Sequence, residues 1–380
     1  MSLIMTKQKT LHIISFDNPF PPVYGGVIDV FYKVKALHEL GVEIYLHCFV
    51  SNIPKQFPEL EAITTKVYFY KTLVNPFLIF DKKPLSVATR NNEQLLANLK
   101  KSAAPILFEG LKTSYLVNAD QLENHTKVLR LHNIEHNYFG GISNSEKSLF
   151  RKFIFGLEGR KYRKYEKVMR KFDTIITLSH FENDYVMQNF KESFYIPVFH
   201  GNETVSELSP FGNYALYHGD LRMSDNKRAV DFLIKVFKKI PDYNLVIASG
   251  CGDGYVEKQI RQAPNVSYIS IKNQDHLHKL LVDAHMNVML SFQQSGTKLK
   301  LINSLYKSRF CIINANIVDD KDVQNLCHIA ETESEFIDLI NQLKNQPYLD
   351  LENKINVLNR ILNDQTNAKS IANIIFQENG

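Results

Sequence analysis

The stretch of this sequence with the most legible chemistry runs from Ser291 to Asn314, SFQQSGTKLKLINSLYKSRFCIIN. An apolar run ends, a Ser295-Gly296-Thr297 turn follows, and a helical pattern opens with Lys298 and Lys300. The first backbone N–H groups of a helix have no partners within it, and its dipole makes that end positive. Lysines placed there oppose the dipole, and a ligand anion relieves the conflict, so the segment reads as a diphosphate seat. A solvated first turn is the competing reading. Asn303 follows Lys300 by three positions and Gly296 by seven, so the three share one helical face.

Other polar clusters also close apolar runs. Phe108-Glu109-Gly110 and Leu131-His132-Asn133-Ile134-Glu135-His136 each end one in the first half. Polar groups just past a buried strand are candidates for substrate contact, or caps for the next helix. The loop Asp17–Gly26, DNPFPPVYGG, is stiffened by three prolines, and Gly25-Gly26 lets backbone approach a ligand at a helix start. In the second half, Gly219-Asp220-Leu221-Arg222 follows one run, and Lys227 opens the helix after it. Ser249–Gly254, SGCGDG, lacks the dinucleotide glycine spacing, so Gly250 reads as part of a tight turn that could line a binding site. Asp320-Lys321-Asp322 resembles a metal-binding pair, yet a mildly acidic loop explains it more plainly, and no metal is assigned.

A repeated rhythm must position these loops. Short β-branched runs alternate with helical stretches, which implies parallel sheets covered on both faces. The first-half strands are expected at 10–16, 43–49, 66–70, 105–108, 127–131, 174–178 and 193–198. Polar, aperiodic residues 201–213 (GNETVSELSPFGN) suit a linker, after which strands are expected near 214–217, 245–248, 266–269, 288–290 and 311–313. The reading is an α/β chain of two doubly wound Rossmann-like domains, 1–200 and 214–360, facing a cleft. A terminal helix, 361–380, would cross back to the first domain. In such domains ligands bind outside the carboxyl ends of the strands.

Composition narrows the class. A chain of 380 residues suits two domains, and its 44% hydrophobic and 22% charged residues are those of a globular protein. The formal charge of +5 is low for a nucleic-acid binder. Cys48, Cys251, Cys311 and Cys327 form no Cys-x-x-Cys pair and read as free thiols of a reducing compartment. No signal peptide or spanning run is evident, so a cytoplasmic protein is expected. A helix expected around 153–172 carries Arg160, Arg163, Lys164, Lys167 and Lys171 as one basic stripe. That stripe is a solvated face or a contact for anionic lipid at the inner membrane surface.

The order Pro-Phe-Pro-Pro, Gly25-Gly26, then a helix ending Leu37-His38-Glu39-Leu40-Gly41-Val42-Glu43 resembles the retaining GT-B glycosyltransferases of group 1, with their mannosyltransferase-like bacterial members. The resemblance runs from about Leu11 to the terminal helix. It implies sugar transfer from a nucleotide-sugar donor to a saccharide or lipid-linked acceptor in polysaccharide biosynthesis, with retention, no metal and no cofactor. By that resemblance His132 would touch the donor sugar or orient the acceptor. Arg222 or Lys227, with Lys298, would steady the departing diphosphate, and the acceptor would enter past Gly25, Gly26 and Glu109. Ser295 and Asn303 fall where the family has two glutamates, the second of which binds the ribose. Ser308 and Phe310 replace its usual Gly and Pro. The alternatives are a non-catalytic module that binds a nucleotide sugar or a partner, and a nucleotide-sugar epimerase.

Overall fold

The computed structural model describes residues 8–146, 148–293 and 298–377. The readings on Ser295, Gly296 and Thr297 lie outside them. The chain divides into two compact units, one up to Gly201 and again from Leu362, the other Asn202–Ile361.

Unit 1 holds seven strands: β1 (Thr10–Ser15), β2 (Glu43–Val50), β3 (Lys66–Lys71), β4 (Ile106–Glu109), β5 (Lys127–Leu131), β6 (Thr174–Thr177) and β7 (Phe194–Tyr195). Their order is β3-β2-β1-β4-β5-β6-β7, all parallel. Unit 2 holds β8 (Ala215–His218), β9 (Leu245–Ser249), β10 (Val266–Ser270), β11 (Met286–Met289), β12 (Phe310–Ile313) and β13 (His328–Ile329). It repeats the order as β10-β9-β8-β11-β12-β13. The expectation of two parallel, doubly wound sheets holds. Only the two-residue β13 went unread, being too short to show a period.

Each unit has its own core. The Gly25–Glu39 helix lays Val27, Val30, Val34 and Leu37 on β1 and β2, at the spacing that lines one helical face. In unit 2, Val230, Leu233 and Phe237 of the Ser224–Phe237 helix do the same over β8 and β9.

Two expectations change. Of residues 201–213, read as a linker, 202–213 are bonded into unit 2: Ser206 N–H donates to Tyr306 O, Asn213 N–H to Asp283 O, and Arg309 Nε to Ser209 O. Polar composition without period describes a strap on a surface as well as a free tether. The terminal helix expected over 361–380 is Asp364–Phe376, in unit 1 and separate from Leu351–Ile361 of unit 2. The break falls at Asn363, whose side chain caps the second helix by accepting from Thr366 N–H. That helix packs on Gly25–Glu39 and buries Ala368, Ile371, Ala372 and Ile375. The basic helix ends at Tyr165, and Glu166–Lys171 winds more tightly as a 3-10 turn. Buried Val168, Met169 and Phe172 pull that turn into the core.

Candidate functional site

In both sheets the strand order reverses at the first strand: β1 meets β4 in unit 1, and β8 meets β11 in unit 2. Successive helices there leave on opposite faces, opening a crevice at the carboxyl ends of the strands.

In unit 2 that crevice is built from Tyr217, Asn226, Asp225, Ser291 and Lys300. Asp225 anchors its floor, accepting from Ser291 Oγ at 2.9 Å and Phe292 N–H at 3.0 Å. Lys300 enters from the second residue of the Leu299–Lys307 helix. Its Nζ lies 3.3 Å from Asn226 Oδ1 and 4.9 Å over the Tyr217 ring. Among the described residues no carboxylate is within ion-pair distance of it. Burial pushes its ammonium down to about 8, with Lys298 adding to the shift and Asp225 opposing it. An ammonium drawn inward without a carboxylate is a seat for an anion from outside.

Of the other expected basic groups, Arg222 and Lys227 are engaged elsewhere, whereas Lys298 stays near Lys300. Arg222 is exposed and its guanidinium is taken up by Asp220 in its own loop, at 2.6 Å. Lys227 lies over the Tyr255 ring, 5.3 Å from its centroid. Lys298 is the N-cap residue of its helix. Gly219 packs against Asn226, and Gly250 is exposed in the β9 turn. That turn depends on Gly252, whose φ of 92° suits glycine and where a Cβ would fall 2.7 Å from Leu221 Cβ. Asn303 Oδ1 accepts from Asn202 Nδ2 at 3.1 Å, which ties the strap to the Leu299–Lys307 helix. Asp320 caps a helical turn and Asp322 pairs with Arg360 at 3.0 Å, so both have structural work.

In unit 1 the crevice is walled by a buried charge network. Lys33 Nζ lies 2.7 Å from Asp29 Oδ2 and 2.8 Å from Glu109 Oε1. Arg130 reaches Asp29 Oδ1 at 3.2 Å and the carbonyls of Ile196 and Pro197 at 2.7 and 2.8 Å. His132 Nε2 is 2.8 Å from Glu109 Oε2, close enough to donate its proton there. Burial alone would lift the Asp29 carboxyl, but Arg130, Lys33 and His132 hold it well below the usual range. Glu109, expected on the acceptor's path, is completely buried. Its carboxylate is bonded to Lys33 and His132. Asp29, Glu109 and His132 lie close enough together to hold a cation. The Lys33 ammonium already touches both carboxylates.

The paired glycines serve this network at one remove. A Cβ on Gly26 would fall 2.5 Å from Phe16 Cζ, so the glycine admits the Phe16 ring. That ring stands edge-on to His132 at 5.5 Å and carries the Lys112 ammonium 4.4 Å from its centroid. Gly25 is exposed at the helix start. Glu135, the first residue of the Glu135–Ser145 helix, is buried near Lys112, His132 and Arg90. Burial lifts its carboxyl above the usual carboxylate range, against the pull of those charges.

Sequence reasoning missed Asp29, Lys33, Arg130 and His218. A signal existed for the first three: Asp29 and Lys33 at i, i+4 inside an apolar helix, and Arg130 within the strand KVLRL. His218, at the end of β8, is buried with neither ring nitrogen bonded among the described residues. Burial, with Lys300 near, pushes it down to about 3, so it is neutral at pH 7.

Two sheets of this order in one chain, with polar groups gathered at both switch points, define the two-domain GT-B fold of glycosyltransferases. Sucrose-phosphate synthase from Thermosynechococcus elongatus shares it at a TM-score of 0.70 and 14% identity, over 97% of this chain and 98% of that one. The Anabaena HepE protein, solved in complex with UDP and glucose, aligns at a TM-score of 0.68 and 11% identity, over 97% of this chain and 100% of that one. In sequence, the chain is 24% identical over 322 residues to an uncharacterized 44.6 kDa protein in the cps region of Klebsiella pneumoniae, covering 79% of this chain and 81% of that protein. No protein-family model matches.

Proposed function

We propose that this protein is a glycosyltransferase that moves a sugar, with retention and without a metal, from a nucleotide-sugar donor to a saccharide or lipid-linked acceptor. The observation that carries the reading is Lys300, held inward at the β8–β11 switch point beside Asn226 and without a carboxylate partner among the described residues. There it neutralises the diphosphate of the donor and stabilises the charge that grows on it as the glycosidic bond breaks. Lys298, at the start of the same helix, assists. Arg222 joins only by leaving Asp220. In unit 1, His132 is oriented by Glu109 and meets the sugar. Glu135 has a mostly buried carboxyl, unpaired among the described residues, and accepts a hydrogen bond from the acceptor hydroxyl.

UDP is the first nucleotide to try, because the HepE structure holds it. Calorimetric titration with UDP, GDP, ADP and CMP tests the reading directly. One nucleoside diphosphate should bind, and Lys300→Ala should weaken it by about 1.5–3 kcal/mol, the loss of a charged hydrogen bond. Lys298→Ala should cost less. Indifference of every nucleotide to Lys300→Ala would refute the seat. A non-catalytic module is the second reading, favoured by Asn303 standing in place of a carboxylate and already bonded to Asn202. Nucleotide-sugar binding without turnover across methyl and octyl glycoside acceptors would establish it.

A further inference from the structure

The Leu149–Tyr165 helix and the turn after it present charge of one sign. From Leu149 to Lys171 there are nine basic residues and two acidic ones. Both acidic side chains are buried and engaged. Glu158 accepts from Leu85 N–H at 2.8 Å, while Glu166 holds His136 at 2.6 Å and Tyr185 at 2.8 Å. What remains for solvent is positive, including Arg151, Lys152, Arg160, Arg163, Lys164 and Lys167.

Large apolar side chains accompany this charge. Val74, Phe77, Phe80, Leu149, Phe150 and Phe153 are each between 65% and 96% exposed. Leu149, Phe153, Arg160 and Lys164, at i, i+4, i+11 and i+15, share the face opposite buried Tyr162. Lys161 Nζ donates to Ile79 O at 2.6 Å, which holds the Pro76–Phe80 turn against the helix. Phe150, eleven residues before Lys161, lies on that same side. So two adjoining elements carry aromatic groups into solvent beside a basic surface. Apolar groups gathered this way mark an interaction surface, whereas scattered ones need no explanation.

We propose that this face of unit 1 docks the protein on an anionic lipid surface. The charge decides the occupant. Aromatic rings enter the headgroup layer while lysines and arginines stay with the phosphates. A second copy of this chain would set the basic helix against its own image, and like charges would repel.

Co-sedimentation of the full chain with vesicles tests this without any assumption about the reaction. Binding should occur on phosphatidylcholine mixed with phosphatidylglycerol and be absent on phosphatidylcholine alone. High salt should weaken it at least several-fold. Charge reversal by Arg160→Glu with Lys164→Glu should abolish it. Phe77→Ser, Phe80→Ser, Phe150→Ser and Phe153→Ser together should remove the salt-resistant part. All these side chains are exposed, and a melting curve matching that of the unmodified protein shows each variant folded. Failure of the unmodified protein to bind anionic vesicles overturns the proposal. So does binding that survives both sets of changes. A dimer in sedimentation analysis that the serine variants dissolve would assign the face to a second copy instead.

Discussion

At pH 7 the Lys300 side chain holds its proton, but its pKa near 8 leaves it little margin. Only the ammonium attracts a diphosphate, so nucleotide affinity should be flat below neutrality and fall as pH rises through about 8. One linked proton limits the fall to roughly tenfold per pH unit. Lys300→Arg, which stays charged, should flatten the profile. A wild-type profile flat to pH 9.5 would remove Lys300 from the seat. Asn303 poses a different question, because its amide oxygen is engaged by Asn202. Asn303→Glu can keep that bond and present a second oxygen to a ribose, and charge-assisted bonds are roughly twice as strong as neutral ones. Nucleotide affinity should hold or rise. Destabilisation with no gain in affinity would mean the site has no ribose to meet.

Among the elements, the Gly25–Glu39 helix has the most at stake, since its Asp29 and Lys33 enter the carboxyl end of the sheet as charges. Asp29 also accepts from Phe199 N–H at 2.9 Å, so one carboxylate joins the helix, Arg130 of β5 and the segment leaving β7. Buried ion networks are costly to break from one side. Lys33→Met should destabilise the protein by about 3–5 kcal/mol, read by urea unfolding, because it strands two carboxylates. Adding Glu109→Gln should recover part of that loss and leave His132 without its anionic partner. A loss below about 1 kcal/mol would mean the carboxylates are protonated or reached by water.

On the scale of the molecule, unit 1 is closed by chain that has first passed through unit 2. Asp364 accepts from His200 N–H and Gly201 N–H, which ties the outgoing and returning segments together. The helix behind it contributes Ile371 and Ile375 to the unit 1 core. Losing either side chain alone would cost about 2–5 kcal/mol, against a whole-domain stability of about 5–15 kcal/mol. A chain ending at Ile361 should therefore lose the unit 1 transition in calorimetry, while unit 2 still melts cooperatively and binds the nucleotide. Retention of both transitions would show that the terminal helix is an appendage. Among the described residues no helix is long and apolar enough to cross a membrane.

The periodic information was legible in the sequence. Apolar β-branched runs alternating with helical stretches announced two parallel sheets, because a strand buried on both faces must be apolar throughout. The loops that follow strands could be picked out for the same reason; His132 lies on one, and Lys300 and Glu135 lie in the first turns of the helices they lead into. Partners could not be read. Glu109 looked like a substrate ligand because a carboxylate at a strand end is exposed unless something pairs with it. What pairs with it is Lys33, 76 positions earlier. Arg222 looked free because Asp220, two residues away, is a partner only when the loop folds back on itself. Gly26 suggested ligand contact, but the atom that approaches it belongs to Phe16. Residues 201–213 showed no period, and a strap bonded to a surface has none to show. Local spacing determines which backbone a segment adopts, since propensity and amphipathic pattern act over a few residues. Which charges meet, and which are left for a ligand, is decided by tertiary structure, because burial makes pairing obligatory and brings distant residues within reach.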